Sequence, residues 1–148
     1  MSITITVPHG LPYVGAALLS SILLVSVQLK IVAARRKASG IQPPQLYAEQ
    51  AEGRQPNDFE LLPGAHLNTL EYLPMVYLVT CITACKYPIL AASLCESWVI
   101  TRAIYTRDYT SSGPEKRTFG ARTSLIALLG LLASAIYTVG SAMMTELV

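Results

Sequence analysis

Four long apolar runs, separated by polar connections, constrain this chain more than any other feature. They fall at about residues 11–34, 61–85, 89–107 and 121–144. A helix rises 1.5 Å per residue, so about 20 apolar residues cross the roughly 30 Å of a bilayer's hydrocarbon. The expected fold is therefore all-α: an integral membrane four-helix bundle, with residues 1–148 forming one domain. Composition agrees. Hydrophobic residues make up 52% of the chain and charged residues 14%, against about 25% charged in soluble domains. The residues ahead of the first run, MSITITVPHG, carry no Lys or Arg. A cleaved signal would have a basic flank there, so the first run is expected to be a retained span.

The connections are 35–58, which opens on Arg35-Arg36-Lys37 and contains Pro43-Pro44, the tight turn Lys86-Tyr87-Pro88, and 108–120 with Ser111-Ser112-Gly113-Pro114. Four spans place the two long connections on one side of the membrane and both termini on the other. The long connections and their flanks hold Arg35, Arg36, Lys37, Arg54, Arg107, Lys116, Arg117 and Arg122, whereas the opposite side holds only Lys86. That asymmetry predicts cytosolic long loops. A net charge of +2, with no basic cluster interleaved with aromatics, argues against a nucleic-acid partner. Cys81, Cys85 and Cys95 are dispersed through apolar stretches, as free thiols are. No Cys-x-x-Cys or paired His suggests a metal.

Within the second run, FELLPGAHLNTLEYLP sets His66, Asn68, Glu71 and Tyr72 in a hydrophobic context. Polar groups there are costly and commonly mark a site. Asn68, Glu71 and Tyr72 share one helical face at i, i+3 and i+4. The third run ends on Arg102, Tyr105 and Tyr109, at i, i+3 and i+7, again one face. The second run starts on the cytosolic side and the third ends there. The two polar faces therefore meet at one depth, and Glu71 is expected to pair with Arg102 across the gap.

Each residue also has a quieter role available. Glu71 and Arg102 as an ion pair would simply tie two helices. Tyrosines at span ends commonly sit in the interfacial belt. His66 suits a helix start, and Asn68 suits interhelical hydrogen bonding worth about 1 kcal/mol. Pro74 is expected to kink the second helix. Glu96, off the Arg102 face by spacing, has no role in this scheme. What the quieter roles explain less well is the common depth.

AHLNTLEYLP (65–74), WVITRAIY (98–105), GPEKR (113–117) and SLIALLGLL (124–132), together with the AARRK start of the first long connection, resemble the MAPEG family. These are the membrane-associated proteins in eicosanoid and glutathione metabolism. The likeness spans about residues 10–143. It implies a homotrimer of four-helix subunits in endoplasmic-reticulum-type membranes, binding glutathione at subunit interfaces near the cytosolic face. Asn68, Glu71, Tyr72, Tyr105 and Tyr109 then resemble glutathione-binding positions. His66 falls where some relatives carry Gln, and Arg102 resembles the arginine that orients Glu71. Arg35, on the first span of a neighbouring subunit, resembles a further glutathione contact. The catalytic arginine of the family falls on Arg117 or Lys116, of which Arg117 is favoured. The implied activity is transferase or peroxidase chemistry on lipophilic electrophiles or lipid hydroperoxides, with glutathione as co-substrate and no metal.

One departure stands out. Pro63-Gly64 replaces a Gln-Arg pair usual in the family, removing an arginine that holds a glutathione carboxylate. A lost charge-assisted hydrogen bond costs about 1.5–3 kcal/mol, or one to two orders of magnitude in affinity. The departure favours the alternative of a non-catalytic lipid-binding scaffold, as in the 5-lipoxygenase-activating branch. A channel is disfavoured, because polar residues at one depth do not make a continuous path.

Overall fold

The computed structural model of the chain describes residues 9–38, 58–111 and 118–146. Its helices are α1 (Leu11–Ala38), α2 (Asp58–Ala84), α3 (Pro88–Ser111) and α4 (Thr118–Glu146). Each apolar run has become one helix. The helices overrun the expected spans by three or four residues at the ends facing the long connections. Residues 35–38, 108–111 and 118–120, expected as loop, are thus helical. Leaving the hydrocarbon ends the apolar pattern, not the backbone ladder. α2 is a single helix through Pro63, in its second turn, and Pro74. Each proline removes one donor from the ladder.

The opposite ends are held by short contacts. Gly10 has φ of 99° and accepts from the Tyr13 N–H at 3.1 Å as α1 begins. A Cβ at Gly10 would lie 2.9 Å from Ile89 Cγ1, so α1 starts tight against the start of α3. Between α2 and α3, the Lys86 and Tyr87 N–H groups donate to Thr83 O at 3.2 and 2.8 Å. Pro88 then opens α3, where its missing N–H is one the helix would not have used. Lys86 Nζ donates to Ser141 Oγ at 2.8 Å and sits 5.5 and 5.9 Å from the Tyr87 and Tyr137 ring centres. The turn is thereby fastened to the end of α4.

α2 and α3 pair at the centre, with α1 packed on one flank of the pair and α4 on the other. Val76, Ala91, Cys95, Trp98 and Leu131 are fully buried between them. The outer faces are apolar: Leu19, Ile22, Leu23 and Val27 on α1, and Leu125, Ile126, Leu129 and Ile136 on α4, are all exposed. Among the described residues, Leu11–Ala34 and Phe119–Glu146 are the two stretches long and apolar enough by themselves to cross a membrane. Only 22% and 28% of their apolar windows are buried. A soluble protein buries such helices, so these flanks suit lipid. The central helices are less uniformly apolar because they enclose the polar side chains described next.

Candidate functional site

Trp98, Arg102 and Tyr105 follow one another at i, i+4 and i+7 on α3, a single face directed at α2 and α4. Arg102 is only 4% exposed. Its guanidinium carbon lies 4.7 Å from the Tyr72 ring centre, 5.3 Å from Tyr105 and 5.4 Å from Trp98. Aromatic faces carry negative quadrupole potential, and a desolvated cation over one gains about 2 kcal/mol. Nη1 donates to Asn68 Oδ1 at 2.8 Å. The expected Glu71–Arg102 ion pair does not form: Glu71 is exposed, and Asn68 supplies the acceptor instead. Asn68 stands three residues, nearly a full turn, before Glu71.

These side chains wall a pocket of about 350 Å³, completed by Ala121, Arg122, Ser124, Leu125 and Leu128 of α4. Two buried donors in its wall, Arg102 Nε and Trp98 Nε1, have no hydrogen-bond partner. Leaving such a donor unsatisfied costs about 1–3 kcal/mol. Both atoms are sealed from solvent, but the guanidinium makes this wall basic. Arg122, exposed at the rim, adds a second positive charge.

α4 closes the pocket because Gly120 allows it. A Cβ there would fall 2.7 Å from the backbone N and Cα of Tyr105. The first turn of α4 thus rests directly on the α3 backbone at the site.

Of the residues picked from sequence, Asn68, Tyr72, Arg102 and Tyr105 are brought together. His66 and Glu71 do not line the pocket. His66 turns to α1, its Nδ1 3.5 Å from Gln28 Oε1. Gln28, 2% exposed, also donates from Nε2 to Thr106 Oγ1 at 2.6 Å and Thr69 Oγ1 at 3.2 Å. This knot ties α1 to the back of the site. Arg35 and Tyr109 lie on α1 and α3, but their side chains are outside the described residues, as are Lys116 and Arg117 altogether. Sequence reasoning passed over Trp98, Gly120, Arg122 and Gln28 as site residues. Gln28 had a signal, being a lone amide inside an apolar span. Trp98 had one in its spacing from Arg102.

Fold and pocket together define an all-α membrane bundle with a basic, aromatic-walled site at one end of its central helix pair. The MAPEG family model matches residues 13–137, and the chain belongs to that family.

Proposed function

We propose that the chain is a membrane-bound glutathione-dependent transferase or peroxidase, of the microsomal glutathione S-transferase type 3 kind, acting on lipophilic electrophiles or lipid hydroperoxides. The observation that carries this is Arg102: a buried cation with no carboxylate partner among the described residues, boxed by rings in the wall of a pocket. Glutathione brings carboxylates and amide carbonyls to such a wall. Arg102 would donate to those acceptors, and Asn68 holds the guanidinium in place.

Chemistry then needs a cation at the sulfur. A free thiol ionises near about pH 8.5, and an adjacent positive charge lowers that by about 1–3 units. Arg117, with Lys116 as its neighbour, is proposed for that role. The connection carrying it enters α4 at the turn that Gly120 seats on Tyr105. The thiolate bonds to an electrophile presented from the bilayer, which expels its leaving group or takes up a proton. On a hydroperoxide it takes the terminal oxygen, the O–O bond breaks to release the alcohol, and a second glutathione converts the sulfenic acid to disulfide and water. Arg35, Glu71, His66 and Tyr109 are proposed to complete the glutathione site in a homotrimer. Glu71, exposed in the single chain, would there meet a neighbouring subunit. An endoplasmic-reticulum-type membrane with cytosolic long loops fits this reading.

Calorimetric titration of glutathione into detergent-purified protein tests the reading. Saturable binding that Arg102→Leu abolishes is expected, and absence of binding at millimolar glutathione overturns it. Pro63-Gly64, which lacks the usual arginine, favours the second reading of a lipid-binding scaffold. That reading predicts no glutathione binding. If binding is found, Arg117→Ala should lower turnover about tenfold or more, following the lost thiolate fraction, with a lesser effect on affinity.

A further inference from the structure

A second polar site lies at mid-depth between α1 and α3, away from the pocket. Glu96 is eight residues into α3, about 12 Å along the axis, and Ser20 is nine into α1, about 13.5 Å. The two helices start in contact at Gly10 and Ile89, so both residues are measured from one level. They therefore meet near the centre of the hydrocarbon. There, Ser20 Oγ is 2.7 Å from Glu96 Oε2 and 2.7 Å from the Ala17 carbonyl.

One hydroxyl hydrogen cannot serve both acceptors at full strength. The next residue shows the difference. Ser21 Oγ lies 2.6 Å from the Leu18 carbonyl and 2.7 Å from Tyr77 Oη, and there the tyrosine provides the extra hydrogen. At Ser20 the counterpart is a carboxyl group, which accepts when ionised and supplies that hydrogen itself when protonated. In either state Glu96 Oε1 has no partner among the described residues.

Glu96 lines a groove of about 740 Å³ whose walls also include Tyr13, Ala16 and Ser93. Its lining is otherwise mainly small and aliphatic. The volume is that of a pocket for a drug-sized molecule. The partnerless oxygen suits a hydrogen-bond donor, and a basic one is favoured because it can take the carboxyl proton and pair with the carboxylate. Basic residues of the spans lie elsewhere: Arg102 is engaged with Asn68, and Lys30 is exposed on α1 about 15 Å beyond Ser20.

We propose that the α1–α3 groove binds lipophilic amines from within the bilayer, with the basic nitrogen against Glu96 and apolar arms along α1 and α3. The site is separate from the glutathione reading and stands or falls independently of it.

The test is thermal stabilisation of the full chain in dodecyl maltoside by N,N-dimethyldodecylamine and by its uncharged carbon isostere, 2-methyltetradecane. The amine should stabilise saturably, and the isostere at least tenfold less potently. Glu96→Gln, which keeps size and polarity, should weaken the amine tenfold or more without changing the isostere. Ala16→Leu, which fills the groove and leaves the carboxyl group in place, should weaken the amine as well; it decides the matter should Glu96→Gln fail to fold. Equal potency of amine and isostere, or amine binding unaffected by Glu96→Gln and Ala16→Leu, overturns the proposal. So does efficient Ser93–Ser93 crosslinking after Ser93→Cys in a Cys81→Ala, Cys85→Ala background, since a second copy would then occupy the groove.

Discussion

Arg102 lines a pocket beside Asn68, Tyr72 and Tyr105, as spacing implied, but takes a different partner from the one expected. Its place among polar residues at one depth was readable from spacing. Its acceptor was not, because Asn68 and Glu71 share a face and differ only in rise along it. The structure gives the bond to Asn68. Asn68→Ala should therefore strip a buried cation of its acceptor and destabilise the chain by about 1.5–3 kcal/mol, the value of a hydrogen bond to a charged group. Glu71→Gln, at an exposed position, should change the stability of the separated chain by no more than about 0.5 kcal/mol. Thermal denaturation of the two variants in one detergent separates them. Equal losses would return the guanidinium to Glu71.

The elements place the site by close approach as much as by polarity. Gly120→Ala puts a methyl group 2.7 Å from the Tyr105 backbone, where no flexible side chain can yield. Overpacking of this kind costs about 1–3 kcal/mol. Lifting α4 away from Tyr105 should also weaken any ligand held between them. Gln28→Leu, by contrast, removes two donated hydrogen bonds of the kind that average about 0.6 kcal/mol each in membrane proteins, and the long 3.5 Å contact with His66. Thr69 and Thr106 keep their bonds to Ala65 O and Arg102 O. Gln28→Leu should therefore cost only about 1 kcal/mol, less than Gly120→Ala, with melting temperature as the measure. Helix number and order were legible, because an apolar run of span length has few other fates. The helical ends at 35–38, 108–111 and 118–120 were not, since polar turns in the headgroup layer look like loop. Gly120 itself gave no hint: a glycine's value lies in the neighbour it admits.

Seen whole, the molecule is apolar on its outer flanks and polar at its centre. Leu19, Leu23, Ile126 and Ile136 face outward while Gln28, Thr69 and Arg102 are enclosed. Such a chain needs lipid or further copies of itself around it. If the proposed homotrimer forms, native mass spectrometry from detergent should give three chains per particle, and glutathione should bind that particle. A monomer that binds glutathione with full affinity would remove the need for a neighbour's Arg35. What the sequence determined alone was hydrophobic: the number of helices, their order and their membrane setting all follow from the length and spacing of apolar runs. Tertiary structure decided which polar groups meet. It set Asn68 rather than Glu71 on Arg102, turned His66 to Gln28, and brought Glu96 to Ser20. The reason is physical. Burial depends on how much apolar surface a segment carries, which composition records. A hydrogen bond depends on the rotation and rise of two helices against each other, which only their packing fixes.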